Sequence, residues 1–405
     1  MGQWTAIFRR HPVVRACALA ILLYGFAGAA TSPYQSMIAI RELGLSNHAY
    51  AMIGLTASIG YVVMAIAAGF LSDWFQSYRG PLIFVSSFGV LGYGVIYAFP
   101  SPLMFALATI GPLALFHATN SMLFGAVRAQ TDGFNADEAR IVNALMRIMI
   151  SLAWVLVPGI VGLALRGQDS MISAYGIAAL FALACVVTIA LGLRGTDMQD
   201  KPTPDTRSRP ALKDLRVLIA PQLLGKVLGV ALISQVLHVN AAVLPLIVTG
   251  QAGGQPEDIG FLVGLVAVLE VIFMVFWAWA VRGHQILPAL LIAASLYFVY
   301  LAAIATAHAP WQVYAASLIA GFAAAALVSL PISYLLDLIR NRPGLSASLL
   351  SVNMFLGGGL GAGVFALGTE VGGYGATAIL SGGLGVVGAT LLMLLERRGN
   401  VTDHP

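Results

Sequence analysis

Two charged side chains lie deep inside long apolar stretches of this sequence. Arg147 lies within ARIVNALMRIMISLAWVLVPG, and Glu270 lies in the middle of GFLVGLVAVLEVIFMVFWAWA. Both stretches are long enough to cross a bilayer as helices, where a charge costs at least about 2.5 kcal/mol unless it faces a partner or a wet cavity. We therefore expect each residue to have a specific role.

Arg147 could bind a polar ligand. Its guanidinium is a fixed fork of donors that suits hydroxyl groups and carboxylates, so it could hydrogen-bond a substrate or an acidic partner in a central cavity. The alternative is a permanent ion pair that only joins two helices.

Glu270 could bind and release a proton. A carboxyl group at this depth, with no charged residue near it in the sequence, could hold a proton alternately with a substrate and so couple two movements. The alternatives are a hydrogen bond to the substrate, and a neutral or paired carboxyl that bridges helices.

Uncharged polar residues occur at similar depth on other stretches. Gln235 and His238 are one helical turn apart and could form a polar stripe with Asn240, in which His238 is either a proton relay or a core histidine. Lys226 lies near the end of the same stretch and could reach the membrane surface. The candidate substrate-binding residues are Arg147, Asn143, Trp154, Tyr34, Gln35, His117, Asn120, His238, Asn240 and Asn353. Their amides and aromatic rings would suit a hydroxyl-rich ligand.

The elements that carry these residues are membrane spans. Of 405 residues, 59% are hydrophobic and only 9% are charged, whereas a soluble domain has about 25% charged residues. Continuous helices satisfy the backbone in lipid, and the short alternating segments of a barrel are absent from the sequence. The predicted spans are 13–40, 48–71, 81–99, 102–127, 139–165, 171–193, 216–249, 256–281, 286–306, 310–336, 345–368 and 373–395.

The twelve spans fall into two halves. The longest polar break centres on 194–215, which predicts six-helix bundles at 1–193 and 216–405 joined by a cytoplasmic linker. Ile53-Gly54-Leu55 and Ile259-Gly260-Phe261 lie 206 residues apart, as a duplication would place them. If both termini are cytoplasmic, Arg41 and Arg166 are the only basic residues on the outer side. Because basic residues favour the cytoplasmic side of a membrane, this bias predicts cytoplasmic termini.

These features resemble the major facilitator superfamily. Its usual marker, a Gly-x-x-x-Asp turn between spans two and three, occurs as Gly69-Phe-Leu-Ser-Asp73. The basic residues that follow in the family are reduced to Arg79-Gly80, and the equivalent loop at Arg282-Gly283-His284 lacks the Asp. The resemblance implies an all-α membrane protein of two pseudo-symmetric six-helix bundles.

More specific strings resemble the bacterial sugar efflux transporters within that superfamily, and they span both halves. They are Gly25-Phe-Ala-Gly28 through Pro33, Arg41-Glu42-Leu-Gly44, Met146-Arg147 with Trp154 and Pro158, Gly260-Phe-Leu-Val-Gly264, Leu269-Glu270, Asp337-Leu338 and Asn353. By analogy with the superfamily, a further set of charges at cytoplasmic span ends could pair to lock one state, or could simply be solvated. These gating candidates are Asp73, Arg79, Asp337, Arg340 and Arg342.

The predicted function is export of sugars or sugar-like solutes across the bacterial inner membrane by alternating access, with proton antiport through Glu270. An exporter of drugs or amphipathic metabolites is the alternative, because the major facilitator fold hosts many substrates. Pro158-Gly159 and Gly162 resemble the glycine-proline motif of drug-proton antiporters, with Val157 where that motif has glycine, and this resemblance favours export. A membrane enzyme would need a clustered set of catalytic residues, and the sequence shows none. A non-transporting sensor would need an extra regulatory domain, which makes it a less favoured alternative. We expect a monomer in the lipid bilayer that binds a small solute and protons, with no cofactor, metal or nucleic acid.

Overall fold

The fold is built from helices that begin and end close to the predicted spans. The computed structural model describes residues 11–75, 78–131, 134, 136–168, 170–193, 221–281, 285–338 and 343–402. Its longer helices are α1 (Pro12–Thr31), α2 (Asn47–Phe75), α3 (Arg79–Ala98), α4 (Pro102–Ile110), α5 (Pro112–Thr131), α6 (Ala136–Ala164), α7 (Ser173–Gly192), α8 (Pro221–Val248), α9 (Pro256–Ala280), α10 (Ile286–Ala305), α11 (Pro310–Leu338) and α12 (Pro343–Thr402).

Most of these helices can cross a membrane. Ten segments of the described chain are long and apolar enough, and the last of them, Val352–Arg397, contains the predicted span 373–395 and most of the predicted span 345–368. The remaining predicted span coincides with the 29-residue α2. Large apolar side chains such as Leu180 and Val275 are exposed, as a lipid-facing surface requires. The predicted all-α membrane fold is confirmed.

The chain divides into two compact units. The first comprises Met1–Leu45 with Ile59–Thr203, and the second comprises Ser46–Ser58 with Pro204–Pro405. The first part of α2 therefore packs with the second unit. Residues 194–220 lie outside the described part, so the exact boundaries of the predicted linker stay a prediction.

In the first unit α5, α6 and α7 pack against α1, and α3 packs against α5 and α7. Its apolar core includes Leu82 of α3 and Leu123 of α5, both fully buried. Cys17 and Cys185 are free and buried in the same core, and the Cys185 thiol donates a hydrogen bond to the Ala20 carbonyl over 3.3 Å. Both cysteines thus pack as small core side chains.

Two predicted spans of the first unit are interrupted. After Thr31, α1 continues as a 3₁₀ turn at Ser32–Tyr34 and then, three residues on, as a π-helical turn at Ile38–Glu42. The span predicted as continuous at 102–127 breaks at Gly111, between α4 and α5. The reason is Pro112, which has no N–H to donate and disfavours a helical residue before it.

The second unit packs α8 against the end of α12 through glycines. A side-chain carbon at Gly388 would lie 2.6 Å from the Gly229 carbonyl oxygen and 2.7 Å from the Leu232 Cβ. On the same interface, the Gln235 side chain and Ser381 exchange two hydrogen bonds, of 2.9 Å and 3.0 Å. Close approach and a buried polar pair together join these helices.

A kink divides α12 into arms at 343–371 and 374–402. Gly373 has φ 73°, in the left-handed region that favours glycine, and Gly372 also departs from helical geometry. Just after the kink, the Tyr374 hydroxyl donates to Asn47 Oδ1 at 3.1 Å, which ties the start of α2 to the turn.

Adding one methyl group at Gly388 is expected to destabilise the second unit. Gly388→Ala overpacks the contact with α8 and should cost about 1–3 kcal/mol, seen as a lower melting temperature in detergent. Gly383→Ala is the matched control on the same arm, because nothing lies within 4 Å of the added carbon. Equal melting temperatures for the two variants would contradict the close approach.

Candidate functional site

Arg147 is an exposed residue of α6 in the first unit. Within the described part of the chain, no hydrogen bond or ion pair joins its guanidinium to another residue. Asn143, one turn earlier, is also exposed and donates from Nδ2 to the Ala139 carbonyl of its own helix at 3.0 Å. Trp154 lies two turns further on and is half-buried. The guanidinium is therefore available to a ligand.

His117 is the centre of an aromatic cluster in the first unit. The Tyr24 hydroxyl of α1 is hydrogen-bonded to His117 Nδ1 at 2.8 Å. The Tyr61 ring of α2 meets the imidazole edge-on, with ring centroids 4.8 Å apart. One turn along α5, Asn120 Oδ1 is buried without a hydrogen-bond partner in the described residues. The sequence predicted His117 and Asn120 as ligands but missed both tyrosines.

Tyr34 and Gln35 follow the end of α1. Tyr34 is fully buried and its hydroxyl donates to the Pro158 carbonyl over 2.7 Å, which joins the end of α1 to α6. Gln35 is half-buried beside it. The Tyr34 hydroxyl, predicted as a ligand, is thus bonded to the protein backbone in this structure.

Asn353 occupies a buried position on α12. Its side chain is 7% exposed, Nδ2 donates to Ser234 Oγ at 2.9 Å, and Oδ1 has no partner among the described residues. His238 is exposed one turn beyond Ser234, and a carbon added at Gly361 would lie 3.1 Å from His238 Cβ. The glycine at 361 therefore lets α12 approach α8 closely.

The predicted polar stripe on α8 is divided by the packing. Gln235 is fully buried and its amide bonds only protein groups, Leu232 and Ser381. His238 is exposed instead. Because residues three apart differ by about 60° around a helix, one can face a neighbouring helix while the other faces open space.

Glu270 is half-buried on α9. No ion pair to Glu270 occurs in the described part of the chain, and its carboxyl group lies near enough to the Tyr297 hydroxyl of α10 to interact with it electrostatically. The Tyr297 and Tyr300 rings lie 5.1 Å apart, and the Tyr300 hydroxyl donates to Asn240 Oδ1 at 3.0 Å. Glu270 therefore lies next to a short series of hydroxyl and amide groups.

Lys226, which the sequence placed near the membrane surface, forms an ion pair with Glu396. Its Nζ lies 2.6 Å from Glu396 Oε2, and the Tyr334 hydroxyl donates to the same oxygen at 3.3 Å. With the lysine side chain only 20% exposed, a carboxylate partner is needed to offset its desolvation. Lys226 thus joins α8, α11 and α12.

The predicted gating residues are only partly described. Arg79 Nη2 donates to the Ala190 carbonyl at 3.0 Å and so joins α3 to α7. Asp337 is exposed at the end of α11. The side chain of Asp73 and both Arg340 and Arg342 lie outside the described part, so their pairing stays a prediction.

No group of three or more His, Cys, Asp or Glu side chains that could hold a metal ion occurs among the described residues.

The chain matches no protein-family model. It is 25% identical over 384 residues to a protein of Deinococcus radiodurans named as a sugar efflux transporter, covering 94% of this chain and 97% of that protein. It is 27% identical over 310 residues to sugar efflux transporter A of Escherichia coli, covering 72% and 73%.

Solved transporter structures share this fold. The nucleoside transporter NupG matches with a TM-score of 0.78 at 14% identity, over 96% of this chain and 99% of that one. The POT family transporter PepTSo matches with a TM-score of 0.77 at 10% identity, over 97% and 99%. At such low identity the matches establish the fold and leave the substrate open.

Proposed function

Because this chain is a membrane transporter with the major facilitator fold and resembles bacterial sugar efflux transporters, we propose that it exports sugars or sugar-like solutes by alternating access. The observation that carries the proposal is sequence similarity along 94% of the chain to a protein named for sugar efflux. The chain is not an enzyme, since its relatives and structural neighbours are transporters.

Hydrogen-bonding groups in both units support a polar substrate. The first unit offers the His117 imidazole and the Arg147 guanidinium, and the second offers the exposed His238 and Asn353 Oδ1. Neither the guanidinium nor this oxygen has a partner among the residues that the structure describes. A buried acceptor without a partner costs about 1–3 kcal/mol, which a substrate hydroxyl would recover on binding. Asn143, Trp154 and Asn240 would extend these contacts, as would Tyr34, Gln35 and Asn120.

Glu270 is the proposed proton carrier. It is half-buried in an apolar helix without an ion-pair partner in the described chain, so a bound proton would remove its charge from a poorly solvated position. In antiport, protonation on the outer side would favour sugar release, and deprotonation inside would favour sugar binding. Proton entry would thus drive export.

The proposal also includes an orientation in the membrane, a monomeric state and a set of gating residues. The excess of basic residues on one side supports cytoplasmic termini in the bacterial inner membrane. The protein would act as a monomer. Asp73, Arg79 and Asp337, with Arg340 and Arg342, would contribute to closure on the cytoplasmic side.

Uptake into inside-out vesicles tests this proposal. With the interior acidified, vesicles that contain the protein should accumulate a radiolabelled sugar, whereas vesicles without it, or with the gradient collapsed by an ionophore, should not. Accumulation of cationic drugs but of no sugar would favour the drug and amphipathic-metabolite alternative. Sugar binding without uptake or exchange would indicate a non-transporting sensor.

A further inference from the structure

The aromatic cluster around His117 has the chemistry of a site for a neutral ring. We propose that Tyr24, Tyr61, His117 and Asn120 form a pyranose-binding subsite of the first unit. This proposal rests on the proposed sugar export. In it, Tyr24 orients the imidazole, His117 Nε2 donates to a sugar hydroxyl, Asn120 accepts from a hydroxyl, and Tyr61 packs on the apolar face of the ring.

The Tyr24 hydroxyl determines which imidazole nitrogen is left for a ligand. A neutral imidazole has one donor and one acceptor nitrogen, and the Tyr24 hydroxyl is bonded to Nδ1 at 2.8 Å. This hydroxyl has no second partner in the described chain, so its proton would be unsatisfied if it only accepted. It therefore donates to Nδ1, and Nε2 carries the hydrogen.

Asn120 supplies an independent sign that the cluster awaits a ligand. Its Oδ1 is buried and has no hydrogen-bond partner among the described residues. Asn120 follows His117 by three residues, about 60° around α5, so both side chains can reach one ligand if it lies between these two directions. A donor and an unpartnered acceptor one turn apart match adjacent sugar hydroxyls, each of which can both donate and accept.

Tyr61 provides the apolar half of the subsite. Its ring lies against the imidazole, yet the residue is 36% exposed, whereas Tyr93, whose ring contacts Phe116, is 3% exposed. Aromatic faces pack well against the C–H face of a pyranose while polar groups bind its hydroxyls. Neither ion pair of the described chain, His48–Glu370 or Lys226–Glu396, involves this cluster, and the groups that it presents are neutral hydrogen-bonding and aromatic groups. This chemistry favours a neutral sugar over a cationic drug.

Two substitutions of His117 test the assigned nitrogen. His117→Gln keeps an amide N–H near the Nε2 position, whereas His117→Asn keeps one near Nδ1. With purified full-length protein and radiolabelled methyl β-glucopyranoside as the probe, we expect Gln to bind within about threefold of wild type and Asn to bind about tenfold more weakly. Equal losses for the two variants would overturn the assignment.

The tyrosines offer matched controls. Tyr24→Phe should weaken binding about five- to tenfold through loss of the hydroxyl alone, while Tyr93→Phe, in the same aromatic cluster with its hydroxyl bonded to Thr31, should not. Tyr61→Leu, which removes the aromatic ring, should lose binding. Equal effects of Tyr24→Phe and Tyr93→Phe would indicate a packing role and overturn the subsite, and these variants decide the matter if His117→Asn fails to fold.

The outcomes separate the subsite from the proposed function. If the wild type transports sugar but Tyr24→Phe, His117→Asn and Tyr61→Leu all bind the probe like wild type, the subsite is wrong and sugar export stands. If the wild type neither binds nor transports any pyranose, both proposals fail.

Discussion

Proton-driven accumulation of sugar in inside-out vesicles is expected to vanish in Glu270→Gln, while the purified protein still binds sugar, with the lower affinity that the wild type has at low pH. Glutamine has the shape of a protonated glutamate but cannot release a proton, so the cycle loses its coupling step. Sugar affinity of the wild type should fall as pH falls, because proton and sugar bind alternately. In Glu270→Gln the affinity should not change with pH.

Glu257→Gln is the matched control for this variant. Glu257 lies in the first turn of the same helix, α9, where neutralising a carboxylate leaves the middle of the span unchanged. We expect its uptake and pH dependence to match the wild type. Undiminished gradient-driven uptake in Glu270→Gln would exclude Glu270 as the proton carrier.

Loss of the Arg147 guanidinium is expected to weaken sugar binding by about 10- to 100-fold, since hydrogen bonds to a charged group contribute about 1.5–3 kcal/mol. Arg147→Met keeps much of the length without the charge and should show the full loss. Arg147→Lys keeps the charge without the fork of donors and should fall between Met and wild type. Equilibrium binding of labelled sugar measures all three.

Thermal stability distinguishes the two roles considered for Arg147. If the guanidinium faces an open cavity without a partner, Arg147→Met should leave the melting temperature unchanged or raise it. If it forms a buried ion pair, the substitution should destabilise the protein by about 3–5 kcal/mol. Arg140→Met on the same helix serves as the control, with unchanged sugar affinity. Unchanged affinity in Arg147→Met would remove it from the binding site.

The helices could be predicted because lipid imposes a simple rule on the sequence. Apolar stretches of spanning length correspond to helices throughout the described chain. The breaks were harder to predict: hydropathy shows the run from 102 to 127 as continuous, and only the local effect of Pro112 interrupts it at Gly111. Which helix a side chain faces also depends on packing, as the contrast between Gln235 and His238 shows.

Charged residues of the candidate site were visible in the sequence, and neutral partners were not. Arg147 and Glu270 stand out because charge is rare in lipid. Tyr24 is as ordinary as any aromatic residue in a span, and its partner His117 is 93 residues away. Tyr300 is likewise an ordinary aromatic residue of a span, and its hydrogen-bond partner Asn240 is 60 residues away. Such pairs follow from helix packing, which one sequence does not reveal.

The two-glycine kink in α12 affects how the sidedness of this protein can be measured. Inserting a reporter enzyme or epitope at Gly373 would destroy a turn that needs φ 73° and the adjacent bond from Tyr374 to Asn47. An inactive reporter at this position would therefore indicate misfolding and carry no information on topology. The exposed turn at 166–168, which already contains a left-handed glycine at Gly167, is the better insertion point.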